Sequence, residues 1–518
     1  MALSALVTVT PKILDPFFAR LPLDAVADAA LACAASLGAS HADLRVIRTR
    51  TAVLSARDAR KESSVDDAEL GLGVRVVVDG CWGFAASDTI TPASASALAA
   101  QAVALARASR PLATTPVILS PEPVYTGTWF SDYEIDPFDV SEAERLAVLT
   151  DRSASLMSAG VTHVDAWIRQ VRECVFYADS AGTRVTQQRV RLESQWDATV
   201  VDGSTGAFES MSTTAPPVGR GWEYVLGAGA TIGGARPWDW ENELSQLPVL
   251  LQEKLQAPSV EPGRYTLVID PTNLWLTIHE SIGHATEFDR ALGYEANYAG
   301  TSFATPEKLN TFRYGSPLMN VTGDRNTPHG LSTVAWDHEG VAAQRWDIVR
   351  DGVLVGYQLD RAMAAEFGHP RSNGCAFADA GEHVPIQRMP NVSLQPDPQG
   401  ASCAAELIAG VEDGLYVVGD KSWSIDMQRY NFQFTGQRFM RIRNGRLDGQ
   451  VKDVAYQSKT PDFWGSMVAV GGPDTYLFGG ALNCGKGQPG QTAPVSHGCP
   501  VAVFENVNIL NTAAEATR

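Results

Sequence analysis

Positive charge is in short supply in this chain. Its 41 lysines and arginines are outnumbered by 59 aspartates and glutamates, for a net charge of -18, and no basic run interrupts that balance. A nucleic-acid surface needs clustered Lys and Arg against phosphate, so that class of partner is excluded. Long apolar runs are missing too. None approaches the roughly 20 residues a membrane helix requires, and the mean hydropathy is -0.09. The opening "MALSALVTVTPKILDPFFARLP" has no charged n-region, and its apolar run stops at Pro11-Lys12, which argues against a secretory signal. Cysteine is sparse and shows no C-x-x-C pair: seven residues lie scattered at 33, 81, 174, 375, 403, 484 and 499. Such a set suits a reducing, cytoplasmic setting in which most thiols are small buried hydrophobes. Fixed-period repeats and low-complexity tracts are absent as well.

What is present is a soluble globular composition, 45% hydrophobic over 518 residues, too long for one ordinary core. The pattern predicts an α+β fold. An N-terminal α/β domain with antiparallel strands takes residues 1–235, a linking helix and connector take 236–262, and a β-rich, barrel-like domain takes 263–518. Ala-rich helices are expected at 23–37, stopped by Gly38, and at about 92–108, with a third at 141–160. Between them "DLRVIRT" alternates, and Asp79-Gly80 marks a hairpin between "GVRVVV" and "CWGFAA". Asp351-Gly352 and Asn444-Gly445 mark further hairpins in the second half. "GLGVRV" lacks the third glycine and the following helix of a nucleotide-binding turn, so it reads as tight packing or a twisted strand.

One stretch stands apart, "TIHESIGHATEFDR" at 277–290. Asp270 is a suitable N-cap and Pro271 a suitable first helical residue, so His279, Glu280 and His284 should share a helix leaving a strand end. In a regular helix five residues turn the second side chain about 140° from the first. Both imidazoles reach one ion only if the helix widens to an i→i+5 turn, a feature concentrated at functional sites. Gly283 is the residue best able to absorb that distortion. Glu280 would lie beside the metal where a water sits, and Glu287 and Asp289 are candidates to orient the imidazoles. A catalytic zinc takes three protein ligands and leaves a fourth position open. By residue type the third is open among His329, His338, His383, His497, Cys484 and Cys499. Arg388 and Tyr294 are candidates for an oxyanion donor.

These residues carry a resemblance. "HESIGHATEFD" (279–289) and "NCGKGQPGQ" (483–491), in that order, with "GLGVRVVVDGCWGFAASD" (71–88), "EGVAAQRWDIVRDGVLVGYQLD" (339–360) and "PIQRMPN" (385–391), are similar to blocks of the TldD/PmbA family of zinc metalloproteases, in its metal-bearing, TldD-like form. The resemblance implies His279, His284 and Cys484 as zinc ligands and Glu280 as general base. It further implies unfolded peptide substrates that reach the metal inside a dimer chamber, the second subunit being a copy or a metal-free sister chain. The loop "CGKGQPGQ" departs from the shorter Cys-Gly-Lys-x-Gly-Gln form, so it is expected to be extended here. Two other readings are weighed against hydrolysis. A non-catalytic peptide- or partner-binding subunit would lack the metal residues, which are intact here. A closed structural zinc would fill all four positions with Cys or His.

Overall fold

The computed structural model describes residues 11–231, 234–487 and 490–516. The apolar N-terminus up to Thr10 and the Gln488-Pro489 step of the glycine-rich loop, both singled out above, lie outside the described residues.

The first half is one mostly antiparallel sheet with helices on one face. Its elements are α1 (Leu23–Ser36), β1 (His41–Arg57), β2 (Arg60–Val78), β3 (Cys81–Ser87), α2 (Pro92–Ser109), β4 (Thr126–Phe130), α3 (Glu142–Ser158), β5 (His163–Asp179), β6 (Arg184–Val201), β7 (Phe208–Ser212) and α4 (Trp240–Gln256). The strand order is β3-β2-β1-β5-β6-β4, with β7 also on β6. Asp79 and Gly80 both adopt positive φ, 51° and 75°, as a two-residue hairpin turn requires. Along β1 the even residues Leu44, Val46, Leu54 and Ala56 point at the helices. Helices α1 and α2 cover one end of that face, while α3 and α4 cover the other. The α4 helix thus belongs to this core through Trp240, Leu247 and Leu251.

The opposite face is also buried, and it is charged. Asp43, Arg45, Arg75, Glu173, Arg189 and Arg191 are at most 4% exposed. They meet the second half of the chain directly. Arg75 pairs with Asp43 at 2.7 Å and with Glu339 at 2.9 Å, and Glu173 pairs with Arg189 and Arg191 at 2.7 Å each. Two glycines of the "GLGVRV" motif serve this contact. A Cβ at Gly71 would lie 2.0 Å from the Glu382 carboxylate, and one at Gly73 would lie 2.3 Å from the Gly381 carbonyl. The motif is a packing feature, as its sequence suggested.

The second half holds β8 (Gly263–Ile269), α5 (Pro271–Ile278), α6 (Phe288–Ala291), β9 (Val321–Asp324), β10 (Arg345–Arg350), β11 (Val353–Leu354), β12 (Ala376–Phe377), β13 (Ile386–Gln387), β14 (Asn391–Leu394), β15 (Asp413–Ile425), β16 (Asn431–Arg443), β17 (Arg446–Val451), β18 (Val454–Lys459), β19 (Met467–Val470), β20 (Leu477–Lys486), β21 (Gln491–Cys499) and β22 (Ala502–Asn511). Strands β15, β8, β22, β18 and β16 pair in that order, and β16 pairs back onto β15. The ring is a closed five-strand barrel, which leaves none of its members an open edge along the paired segments. Helix α5 leaves the end of β8 buried along its whole length. It is tied to the barrel by polar contacts: Asn273 Nδ2 donates to Gly419 O at 2.9 Å and Thr435 O at 3.0 Å, and Tyr456 donates to Asn273 Oδ1 at 2.8 Å. The helix that presents the histidines is therefore fixed by a rigid ring.

Candidate metal centre

Asp270 caps α5 by accepting from Thr272 N at 3.0 Å, with Pro271 at the first helical position. The regular helix ends at Ile278. Residues His279–Gly283 form a π-turn in which the His284 N–H donates to the His279 carbonyl. This is the i→i+5 bond the histidine spacing demands. Without it the rings would point about 140° apart; here their centroids are 4.7 Å apart. Gly283 has ordinary helical angles, φ -51° and ψ -62°, so it does not absorb the distortion. Its small size admits Met389, whose sulfur would lie 2.6 Å from a Cβ at this position.

Cys484 arrives from β20. The β20–β21 register shifts between Ala481 and Cys484, and such an irregularity re-aims a side chain. The ligand atoms of His279, His284 and Cys484 all lie within 4.8 Å of one another, and Cys484 Sγ is 3.6 Å from His284 Nε2. A tetrahedral zinc with ordinary bond lengths separates a nitrogen and a sulfur donor by about 3.6 Å. Two imidazoles and a thiol at this spacing fit zinc.

Hydrogen bonding decides which nitrogens are free. Val392 O lies 2.9 Å from His497 Nδ1, and a carbonyl can only accept, so that nitrogen carries the proton. His497 Nε2 then accepts from His279 Nδ1–H at 2.7 Å. The chain ends with the lone pair of His279 Nε2. His284 Nδ1 lies 3.0 Å from Glu287 Oε2, which likewise leaves its Nε2 free. These tautomers follow from the partners. Burial holds both ring pKa values down, that of His284 well below the usual range despite the opposing Glu287, so both rings are neutral donors near pH 7. Burial alone would raise the Glu287 carboxyl, but Lys486, His284 and Arg290 hold it well below the ordinary carboxylate range. Burial pushes the Cys484 thiol up to about 11 against the pull of Arg388, whose Nη2 donates to the sulfur at 3.1 Å. A coordinated cation would deprotonate it outright.

Glu280 is 5% exposed, and its Oε2 accepts from Arg429 Nη1 at 2.7 Å. Among the other residues weighed from sequence, His329 faces Gly219 O and His338 accepts from Ala378 N. His383 pairs with Asp379, and Cys499 lies against Pro271 O. Asp289 meets Lys486, which also reaches Glu287, rather than an imidazole. Arg388 is committed to Cys484, and Tyr294 is 61% exposed with its hydroxyl on Glu366. Sequence reasoning missed Arg429 altogether and placed His497 among possible ligands rather than behind one.

Two domain models match the chain: PmbA/TldA metallopeptidase domain 1 over residues 42–106, and the PmbA/TldA metallopeptidase C-terminal domain over residues 262–511. A metalloprotease of Methanothermobacter thermautotrophicus is 26% identical over 485 residues, spanning 91% of this chain and 96% of that protein. A zinc metalloprotease TldD homolog of Saccharolobus solfataricus is 26% identical over 264 residues, 51% of this chain and 55% of that one. TldE from Thermococcus kodakarensis has the same fold, with a TM-score of 0.66 at 15% identity over 92% of this chain and 98% of that one. The matched domains define a metallopeptidase. The chain belongs to the TldD/PmbA family.

Proposed function

We propose that the chain hydrolyses peptide bonds with a zinc ion held by His279 Nε2, His284 Nε2 and Cys484 Sγ, and with Glu280 as general base. The observation that carries this reading is the π-turn, which turns two histidines five residues apart toward the same thiol. When bound, the ion would supply Lewis acidity, polarising a carbonyl and lowering the pKa of water toward about 7. A thiolate gives up more charge than an imidazole, which favours modest turnover.

Glu280 takes the proton of the attacking water and returns it to the leaving amine. His497 and Glu287 fix the two imidazole tautomers, and Arg388 compensates the sulfur. His279, Glu280, His284 and Cys484 are each only 5–6% exposed. An extended, unfolded segment reaches such a site more readily than a folded surface does. The family resemblance supports a dimer that encloses the site, with a second copy or a metal-free sister chain. Tyr298 and Met427, 55% and 56% exposed, lie on the two segments that Arg429 bridges through Ala299 O and are apolar surface such a partner would cover. Six of the seven cysteines are wholly or partly buried and none is in a disulfide, which supports a cytoplasmic setting. Among the described residues no helix is long and apolar enough to cross a membrane.

The test is zinc stoichiometry on the purified protein, followed by digestion of an unfolded peptide library with product identification. About one zinc per chain and chelator-sensitive cleavage are expected. Zinc without cleavage would overturn the peptidase reading.

A further inference from the structure

Peptide hydrolysis needs a donor for the carbonyl oxygen as charge builds on it. Three arginines surround the centre. Arg290 is wholly buried on Glu287 and Ala299 O, and Arg388 is 1% exposed on Cys484. Arg429 differs. Its side chain is 13% exposed. Its Nη1 donates to Glu280 Oε2 at 2.7 Å and its Nη2 to Ala299 O at 3.3 Å, while its buried Nε–H, like Arg290 Nη2 and Arg388 Nε, has no hydrogen-bond partner among the described residues. A guanidinium offers five N–H donors, and of the three this is the one that pairs with the proposed base and stays partly open to an incoming group.

The backbone at Arg429 is also unusual. It sits in the turn joining β15 to β16 with φ +63°, a conformation that Gly, Asn and Asp adopt far more readily than Arg. The turn is held firmly. Asp426 accepts from the N–H groups of Gln428, Tyr430 and Asn431, and Thr460 donates to Arg429 O at 2.7 Å. A strained residue held by a rigid surround is the pattern of a side chain kept for its chemistry.

We propose that Arg429 is a catalytic residue: its guanidinium donates to the scissile carbonyl oxygen as the tetrahedral intermediate forms, while its ion pair aims Glu280 at the attacking water. This rests on the peptidase reading above. In the step, the water oxygen bonds to the carbonyl carbon, the C=O π pair moves onto the oxygen facing Arg429, and Glu280 takes the water's proton. The C–N bond then breaks, the pair on oxygen re-forms the carbonyl, and the proton on Glu280 goes to the departing nitrogen. The products are an acid and an amine, and no other reactant is required.

The experiment compares Arg429→Asn, Arg429→Gly and Arg429→Lys with the wild type, all zinc-loaded. It reads zinc content, Tm, kcat and KM on one peptide, and calorimetric affinity for a phosphinic peptide that mimics the intermediate. Asn and Gly suit the backbone at φ +63°, but both leave the buried Glu280 carboxylate unpaired. Tm should therefore fall somewhat in both, and it serves to show that the variants stay folded at the assay temperature. The expected loss in kcat is 10²–10³-fold with KM within about 3-fold, and phosphinate affinity should fall in parallel. Lys should recover part of both. A kcat within 3-fold of wild type in Arg429→Asn, or a loss of kcat matched by an equal loss of bound zinc in Asn and Gly alike, overturns the assignment to Arg429. A zinc-loaded wild type that cleaves no peptide overturns instead the reading on which it rests.

Discussion

His497 Nε2 lies 2.7 Å from His279 Nδ1, across 218 residues of sequence. The pair is anchored by Val392 O at one end and opens on a free imidazole nitrogen at the other, so one backbone carbonyl sets the tautomer of a proposed ligand through an intervening ring. Trp275 lies nearly parallel to His497, at 10° between planes, and holds that ring in place. His497→Asn should therefore weaken zinc binding 10–100-fold without unfolding the chain. Competition against a chelator of known affinity measures it, and an unchanged zinc affinity would show that His497 merely packs.

Replacing Glu280 by Gln should leave zinc content intact and lower kcat 10²–10⁴-fold, the usual contribution of a general base. The amide keeps the shape but cannot accept the water's proton. Residual turnover near wild type in a zinc-replete sample would remove Glu280 from that role.

Two buried thiols provide an internal control. Cys484→Ser should cost zinc affinity heavily, whereas Cys499→Ser should leave it nearly unchanged, because Cys499 Sγ faces Pro271 O and no imidazole. Equal losses in the two variants would contradict Cys484 as the third donor.

Acid should attack the seam between the halves of the chain. Burial alone would raise the pKa of Asp43, but Arg75, His41 and Arg45 hold it well below its ordinary value of 3.8. Burial opposes Arg189 and Arg191 at Glu173 in the same way, and that carboxyl too lies well below its ordinary value of 4.5. Folded values below unfolded ones mean that the unfolded chain binds protons first. The stabilisation is complete above about pH 5 and drains away as pH falls toward the folded values. Unfolding free energies from denaturant titrations between pH 7 and pH 3 should show this decline. Asp43→Asn should be destabilised at pH 7 by about 3–5 kcal/mol, since it strands buried guanidinium groups, and should show a shallower acid decline. An identical decline in the variant would assign the effect elsewhere.

Much of this architecture is written locally. The Asp79-Gly80, Asp351-Gly352 and Asn444-Gly445 turns, the Asp270-Pro271 helix start and the widened turn all follow from residues adjacent in sequence. The charged face of the N-terminal sheet does not. Alternation in β1 reads as one buried and one wet face, and only tertiary contact with residues near 339 shows that Arg45 and Arg75 are buried as well. Arg429 carries no local pattern, because its partner Glu280 lies 149 residues away. Gly283 was legible as special, yet for the wrong reason: its neighbour Met389 comes from another segment.

That charged face also bears on how pieces of the protein would behave. Cut free of the second half, the N-terminal sheet would bare Arg45, Arg75, Arg189 and Arg191 together with Asp43, Asp179 and Glu173. An acidic protein would thereby yield a fragment whose newly wetted face carries ion pairs of both signs, and pairs that hold in a dry seam weaken once water and salt reach them. Stability that falls with added salt in such a fragment reports a severed seam, and the intact chain keeps the same arginines occupied with its own carboxylates and carbonyls.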